Sequence, residues 1–192
     1  MRFENVQVFG FEAALRGMRN AHKSHHLASP EKDERLACTL IDRGQSHRKF
    51  LRLPQIIFDQ TAPRYFLVEQ DTYKIGMTSL SESTIHTLLR DGVTEKDFAI
   101  HNEIERNVVQ QSIHAINAVR DLWLKDHDPK WIQTVKAILP ECFMQKRTIE
   151  MSYETARRIY EQRHDHPLPE WREFCAFLET LPHSEWITRG IK

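Results

Sequence analysis

Basic side chains that could bind an anion are concentrated between Lys136 and Trp171. Four arginines lie in or beside an otherwise amphipathic part of this stretch: Arg147, Arg157, Arg158 and Arg163. A guanidinium group in such a setting can hold a phosphate through two parallel hydrogen bonds. The stretch is therefore the first candidate for phosphate-binding chemistry.

Arg163 is the strongest of these candidates. It follows Tyr160 by three residues and Ile159 by four, which on a helix places it beside the apolar stripe. A partly buried guanidinium needs an anionic partner. A bound phosphate and a structural carboxylate, such as that of Glu170 or Glu173, satisfy this need equally well.

Arg157 and Arg158 lie farther round the same predicted helix. The spacing predicts that both are solvated or paired with nearby carboxylates, of which Glu154 and Glu161 are the candidates. These two arginines are therefore expected to be surface residues.

Two further segments could bind an anion. Gly44–Lys49 lies at a predicted helix junction, where free N–H groups and basic side chains favour either an anion site or a solvated basic turn. Ser79–Thr84 offers hydroxyl donors close to Lys74. The alternative is that Ser81 caps a helix starting near Glu82 and that Lys74 is simply exposed.

The histidines do not form a recognisable metal motif. They cluster in a predicted loop and near the end of the basic helix: His22, His25, His26, His164 and His166. No HExxH or zinc-finger spacing is present, and no nucleophile motif or phosphate-binding glycine loop occurs. We expect solvated histidines, no metal site and no identifiable catalytic residue.

Composition narrows the class of protein. The 192 residues fit one domain. The 27 Lys and Arg side chains balance 27 Asp and Glu side chains, so the net charge gives no support for binding to nucleic acid through bulk charge. No apolar run is long enough to cross a membrane, and the N-terminus lacks a signal-peptide core. Three widely spaced cysteines fit reduced thiols and a cytoplasmic location: Cys38, Cys142 and Cys175.

The apolar spacing predicts a helix-rich α+β single domain with a small, mostly antiparallel sheet. Strands are predicted around 6–9, 53–58 and 73–78. Helices are predicted over 11–19, 30–43, 46–52, 104–123, 131–138, 148–163 and 168–181. A polar loop is predicted over 22–30. The clearest element is the helix 104–123, whose apolar residues recur at three- and four-residue steps.

Several segments occur in the order and spacing of one enzyme family. They are Ala13-Ala14-Leu15-Arg16 with Ser24, Gly44 to His47, Pro63-Arg64-Tyr65, Val135 to Pro140, and Gln162-Arg163 followed by Pro169 to Arg172. Together they resemble the motifs of the flavin-dependent thymidylate synthases. The resemblance covers much of the chain and rests on order and spacing.

That resemblance implies an activity and its cofactors. Members bind FAD and dUMP in sites shared between subunits of a homotetramer, and they methylate the uracil ring with methylenetetrahydrofolate and NADPH. By position, the implied nucleotide contacts are Arg163, Lys136, Ser81, Ser83 and Lys74. The implied cofactor contacts are His47, Arg64 and Tyr73.

One motif departs from the family. The Arg-His-Arg signature falls on Thr72, Tyr73 and Lys74, of which Lys74 alone carries charge, and the later signature arginine is replaced by Ile85 or His86. Divergence of this kind is similar to that of small phage-encoded relatives.

The departure leaves two main hypotheses, an active divergent enzyme or a fold relative that has lost FAD and binds a nucleotide or a partner. A helical nucleic-acid-binding protein is a third.

Overall fold

A computed structural model describes residues 1–191, and helices predominate in it. Within these residues four strands form an antiparallel sheet of order β1-β2-β4-β3, with β1 at Arg2–Phe9, β2 at Gln55–Pro63, β3 at Met77–Ser81 and β4 at Met144–Ser152. The predicted α+β class with a small antiparallel sheet is therefore confirmed.

The α-helices of residues 1–191 occupy most of the remaining chain. They are α1 (Phe11–Met18), α2 (Pro30–Asp42), α3 (Arg64–Gln70), α4 (Thr84–Asp91), α5 (Glu103–Asp126), α6 (Lys130–Ile138), α7 (Tyr153–Arg163), α8 (Pro169–Glu179) and α9 (Glu185–Thr188). None of these helices is long and apolar enough to cross a membrane.

The chain forms two compact units. Unit 1 consists of residues 1–2, 60–72 and 80–147, and unit 2 consists of residues 3–59, 73–79 and the described chain from Thr148 onward. Both ranges include parts of β2, β3 and β4. The assignment of residues 1–192 to a single domain stays a prediction.

Unit 1 is built on three mutually packed helices, α4, α5 and α6. Its core includes Val109, Ile116 and Val119 from α5, together with Leu88 from α4 and Val135 from α6. The predicted long helix is thus confirmed. The three buried α5 residues lie at seven- and three-residue steps, as one face of a helix requires.

Unit 2 packs α7 against α8 and α9. Three large side chains at its centre are fully buried, Tyr153 from α7, Trp171 from α8 and Trp186 from α9. Burying an aromatic side chain of this size contributes about 2–3 kcal/mol. The packing of α8 and α9 against α7 therefore fixes the position of the basic residues that α7 carries.

The predicted helix 148–163 was wrong in its first part, because β4 continues to Ser152. Burial alternates from Arg147 to Met151, as it does on a strand with one face in the core. Ser152 then accepts a hydrogen bond from the Thr155 N–H at 3.2 Å and caps α7. The local alternation and the serine cap override the helical spacing of the longer segment.

Three other predicted boundaries also moved. The strand predicted over 73–78 begins at Met77, because Tyr73 ends a 3-10 turn. The helix predicted over 46–52 is a 3-10 turn at Lys49–Arg52, and the polar loop 22–30 contains another at His25–Leu27. The helix predicted to start near Glu82 begins at Thr84, and Ser83 rather than Ser81 holds the N-cap position.

Candidate functional site

Arg163 is held between two aromatic rings at the end of α7. Its Nε donates to the Tyr73 hydroxyl at 2.9 Å, and its guanidinium lies 4.8 Å from the Trp171 ring centre and 5.7 Å from that of Tyr73. Within residues 1–191, no ion pair joins Arg163 to Glu170 or Glu173. The rings fix the guanidinium plane and leave its terminal N–H groups available to an anion.

Tyr73 itself is a buried support. Its hydroxyl donates to Gln162 Oε1 at 2.8 Å while accepting from Arg163, and its ring packs edge-on against Trp171 at 5.7 Å. The ring is only 6% exposed. Tyr73 is therefore a neutral side chain that orients Arg163.

Arg158 lies beside the same ring, contrary to the prediction that it is solvated or paired with an acid. Its guanidinium is 5.8 Å from the Tyr73 ring centre, and its Nη2 donates to the Ile75 carbonyl at 2.7 Å. The carboxylates predicted to pair with it are instead within 3.4 Å (Glu154) and 4.0 Å (Glu161) of Arg48. Tyr73 thus lies next to two guanidinium groups from α7.

A cavity of about 420 Å³ opens beside Arg158. Arg52, Gly76 and Glu154 also line it, so its charge is mixed. Lys74 is exposed and is absent from the lining. The cavity is small and partly neutralised, which makes it a weaker candidate for a phosphate than the stacked Arg163.

Arg157 is the buried arginine of α7, and the prediction that it is solvated was wrong. It is 5% exposed, and it donates to the backbone carbonyls of Trp186, Ile187 and Arg189 at 3.4, 3.0 and 2.8 Å. Burial lowers the pKa of its guanidinium. This side chain satisfies the carbonyls at the end of α9 and is structural.

A much larger cavity, of about 990 Å³, lies elsewhere in unit 2. Its wall comes from the end of α1, from residues 19–27, from α2 and from residues 43–53, and it includes five Lys and Arg residues: Arg19, Lys32, Arg35, Arg43 and Lys49. None of the lining residues within 1–191 is Asp or Glu. We call this space the basic cavity.

The sequence of α2 explains the basic wall. Ser29 caps the helix and Pro30 occupies its first position, as predicted, which fixes where the turns begin. Lys32, Arg35 and Thr39 then recur at three- and four-residue steps and face the cavity. Leu36 and Leu40, one position along, add an apolar strip.

The cations of the basic cavity are largely uncompensated. Arg19 donates from Nε to Asp33 at 2.6 Å, whereas the side chains of Lys32, Arg35, Arg43 and Lys49 have no ion-pair partner within residues 1–191. Clustered charge of one sign over an apolar wall creates a locally positive potential. The space suits a ligand that combines an anionic group with a flat apolar ring.

Two residues named by the family resemblance line the basic cavity. His47 lies on one wall and Ser24 on another, and both side chains face the same space. His47 precedes the 3-10 turn Lys49–Arg52 rather than a longer helix. The segment Gly44–Lys49 therefore contributes side chains, not a helix N-terminus, to any anion site.

The remaining predicted contacts lie in unit 1. Lys136 Nζ donates to Thr84 Oγ1 at 2.8 Å, beside Ser83. Ser81 and Ser83 are exposed, so both hydroxyls are open to solvent. Arg64 Nη2 is 3.3 Å from Glu141 Oε1, in a partly exposed ion pair. Arg64 already has an acidic partner, whereas Lys136 has only a hydroxyl.

Sequence reasoning missed the basic cavity as a whole. The signal was present in the spacing of Lys32, Arg35 and Arg43, which falls on one face of α2. What the spacing does not reveal is that α1 and residues 46–53 pack around that face. Of the five histidines considered as metal ligands, none belongs to a metal-competent group among residues 1–191.

Comparison with known proteins bears on the fold. No protein-family profile and no curated sequence matches the chain. Two solved structures of the flavin-dependent thymidylate synthase ThyX from Helicobacter pylori, both with FAD and dUMP, match it at TM-score 0.77. Identity is 17% and 16%, and in each case 97% of this chain and 96% of the other are covered. The chain therefore has the fold of those enzymes over nearly its whole length.

Proposed function

We propose that this chain is a flavin-dependent enzyme of the thymidylate-synthase type, which transfers a one-carbon unit reductively to a pyrimidine deoxynucleotide such as dUMP. The observation that carries the proposal is the basic cavity, about 990 Å³ in volume and free of acidic lining within residues 1–191. It occurs in a fold whose solved examples hold FAD and dUMP.

The residues of the basic cavity fit FAD. The diphosphate of the cofactor would be held by the cations of α2, of which Arg35 and Arg43 can bind oxygens bidentately. Leu36, Leu40 and Phe50 would contact its ring systems. The bound flavin supplies the redox chemistry of the reductive step, and the protein supplies binding, orientation and exclusion of water.

Arg163 is proposed as the contact for the nucleotide phosphate. Its guanidinium is oriented by stacking and by one hydrogen bond, so little side-chain entropy remains to be lost on binding. Lys136, Lys74, Ser81 and Ser83 are proposed as further nucleotide contacts. His47 is proposed to lie against the flavin, whereas Arg64 and Tyr73 stay cofactor contacts by resemblance alone.

The same proposal extends to the finer properties that the resemblance implies. NADPH would reduce the flavin, and methylenetetrahydrofolate would donate the carbon. The active form would be a cytoplasmic homotetramer, and the divergent signature would fit a phage source. Each of these is a property of the proposed enzyme.

A second function is favoured by the burial of Tyr73. Where the family has a cationic signature, the Tyr73 hydroxyl and ring are fully engaged by Gln162, Arg163 and Trp171. That arrangement removes one charge from the predicted cofactor contacts. The alternative is therefore a protein that binds a nucleotide, or a partner, without FAD or catalysis.

The visible absorbance spectrum of the purified protein, followed by titration with FAD and dUMP, separates these functions. We expect bound or added FAD to be retained, and Arg35→Gln and Arg43→Gln each to weaken its binding about tenfold, the equivalent of about 1.4 kcal/mol. Arg16→Gln is the matched control, because Arg16 is exposed in the same unit and does not line the cavity.

The outcomes have distinct meanings. Binding of dUMP without any uptake of FAD would support the second function and overturn the first. Binding of neither ligand would overturn the first function and the nucleotide-binding form of the second. Binding of FAD that Arg35→Gln and Arg43→Gln leave unchanged would show that the basic cavity is not the flavin site.

A further inference from the structure

A separate cluster of metal-ligating side chains lies where α2 meets the segment that leads into α9. It contains Glu34 from α2, His183 from the connection before α9, and Glu185 at the first position of α9. One candidate ligand atom from each residue lies within 4.8 Å of the other two. None of the three lines the basic cavity or the smaller cavity beside Arg158.

Two of the three separations within the cluster match those between ligands of a tetrahedral zinc ion, and the third is within 4.8 Å. With bonds of about 2.0–2.2 Å, two ligands of such an ion lie about 3.3–3.6 Å apart. His183 Nδ1 is 3.2 Å from Glu34 Oε2 and 3.6 Å from Glu185 Oε1. An imidazole with two carboxylates is a donor set that zinc accepts, with the fourth position left to water.

The surroundings hold these ligands in place. Trp186 Nε1 donates to the other oxygen of Glu34 at 2.6 Å, as an outer-shell partner does for a ligating carboxylate. The His183 ring lies between Phe11 and Trp186, with ring centres 4.7 and 4.5 Å away. The imidazole is thereby kept with Nδ1 towards both carboxylates.

We propose that Glu34, His183 and Glu185 bind one zinc ion that ties α9 to α2. The site is independent of the proposed flavin chemistry, and its role is to fix the C-terminal helix of unit 2. A simple ion pair between His183 and the two glutamates is the competing explanation.

Calorimetric titration of the chelator-treated full chain with zinc chloride tests the proposal. We expect one equivalent to bind and thermal unfolding to move to higher temperature. His183→Ala and Glu185→Gln should each weaken binding at least tenfold. Glu185 is 51% exposed, so its amide variant is expected to fold even if the histidine variant does not.

His26→Ala is the matched control, since it removes an exposed histidine from the same unit and should leave zinc binding unchanged. No saturable zinc uptake would overturn the proposal in favour of the ion pair. Uptake that His26→Ala abolishes and Glu185→Gln spares would place the metal on the loop histidines and would equally overturn it.

Discussion

The arginines of α7 have different roles because their guanidinium groups contact different parts of the protein. Arg157 donates to three backbone carbonyls, so its guanidinium has a structural role and is not available to a ligand. Arg163, six residues later, meets two aromatic faces and one hydroxyl. A guanidinium that is held by π faces keeps its terminal N–H groups for a ligand, and this is the basis for proposing Arg163 as the phosphate contact.

Replacing Arg163 should therefore weaken nucleotide binding without unfolding the chain. We expect Arg163→Gln to raise the Kd for dUMP at least tenfold, and Arg163→Lys to lie in between because it keeps the charge but loses the planar fork. Isothermal titration with dUMP measures the effect, with Arg16→Gln as the charge-matched control. Unchanged dUMP affinity in Arg163→Gln would remove Arg163 from the site.

Tyr73→Phe tests the supporting role of the phenol. The variant keeps the ring against which Arg163 packs but removes the hydroxyl that accepts from its Nε. We expect a loss of dUMP affinity smaller than that of Arg163→Gln, because one orienting hydrogen bond contributes about 0.5–1.5 kcal/mol. A loss larger than that of Arg163→Gln would mean that the hydroxyl itself contacts the nucleotide.

The Cys175 thiol should be the least reactive of the three. Burial raises its pKa to about 12, with Glu179 as a smaller cause, and only 3% of the residue is exposed. Since the thiolate is the reactive form, iodoacetamide at pH 8 should modify Cys38 and Cys142 before Cys175. Peptide mapping by mass spectrometry follows the order, and denaturation in urea should remove it.

The same shift has a consequence for stability. A thiol whose pKa is raised by folding favours the folded state below its ordinary value of 9.0, and this contribution is lost as pH rises from there towards 12. Early modification of Cys175 in the folded protein at pH 8 would contradict the buried position of α8 that underlies both expectations.

At the scale of elements, Gly76 is required by close packing between its turn and α7. Its φ is +90°, and a Cβ there would lie 2.5 Å from Thr155 Oγ1. Gly44 has nearly the same φ, +92°, but a Cβ there would meet nothing within 4 Å. Gly44→Ala thus isolates the cost of the left-handed backbone, which is about 1–2 kcal/mol.

Gly76→Ala should lower the free energy of unfolding by more than Gly44→Ala does, because the contact with Thr155 is added to the same backbone cost. Urea denaturation measures both. In the double variant Gly76→Ala with Thr155→Ala, part of the excess should return once the loss from Thr155→Ala alone is subtracted. Equal destabilisation by the two glycine variants would mean that the turn moves away from α7 freely.

The elements that could be predicted from sequence are those whose local signals agree. Ser29 and Pro30 start α2 where expected, and α5 shows the predicted helical period. The segment 148–152 was assigned to a helix because its spacing also fits the helical period, whereas pairing within the sheet decides its strand state. The residue pattern of such a short segment does not show that it pairs with a distant strand.

The candidate site divides in the same way. The position of Arg163 near the apolar stripe follows from helical geometry and was correct. Its partner Tyr73 lies ninety residues away in the chain, and the basic cavity needs α1 and α2 to be packed together. Such long-range contacts depend on the tertiary fold, and the spacing of residues within a segment does not predict them.

For the whole molecule, a net charge of zero conceals an uneven distribution. The basic cavity gathers cations with no acidic lining residue in the described chain, while carboxylates cluster with His183 beside the first half of α2. If the basic cavity binds FAD as proposed, its affinity for FAD should fall with added salt more than its affinity for a neutral ring would, because the attraction comes from local charge. Bulk composition could not have indicated this.

Exposed apolar residues of α5 bear on whether the molecule assembles into oligomers. Ile104, Val108 and Leu122 are 79%, 57% and 39% exposed, although all three belong to the apolar repeat of the helix. They lie at four- and fourteen-residue steps on one side of α5, and the buried Val109 and Ile116 lie roughly a third of a turn away. Exposed apolar residues on one side of a long helix are typical of a protein–protein contact.

If the protein forms the proposed homotetramer, charge on this face should dissociate it. We expect Ile104→Glu combined with Val108→Glu to shift the sedimentation velocity profile from the tetramer to smaller species while the far-ultraviolet circular dichroism stays unchanged. Gln110→Glu is the control for added charge, because it places one of the two negative charges at an exposed polar position of α5. A wild-type protein that sediments as a monomer, or a tetramer that survives the double substitution, would show that this face of α5 does not form the subunit contact.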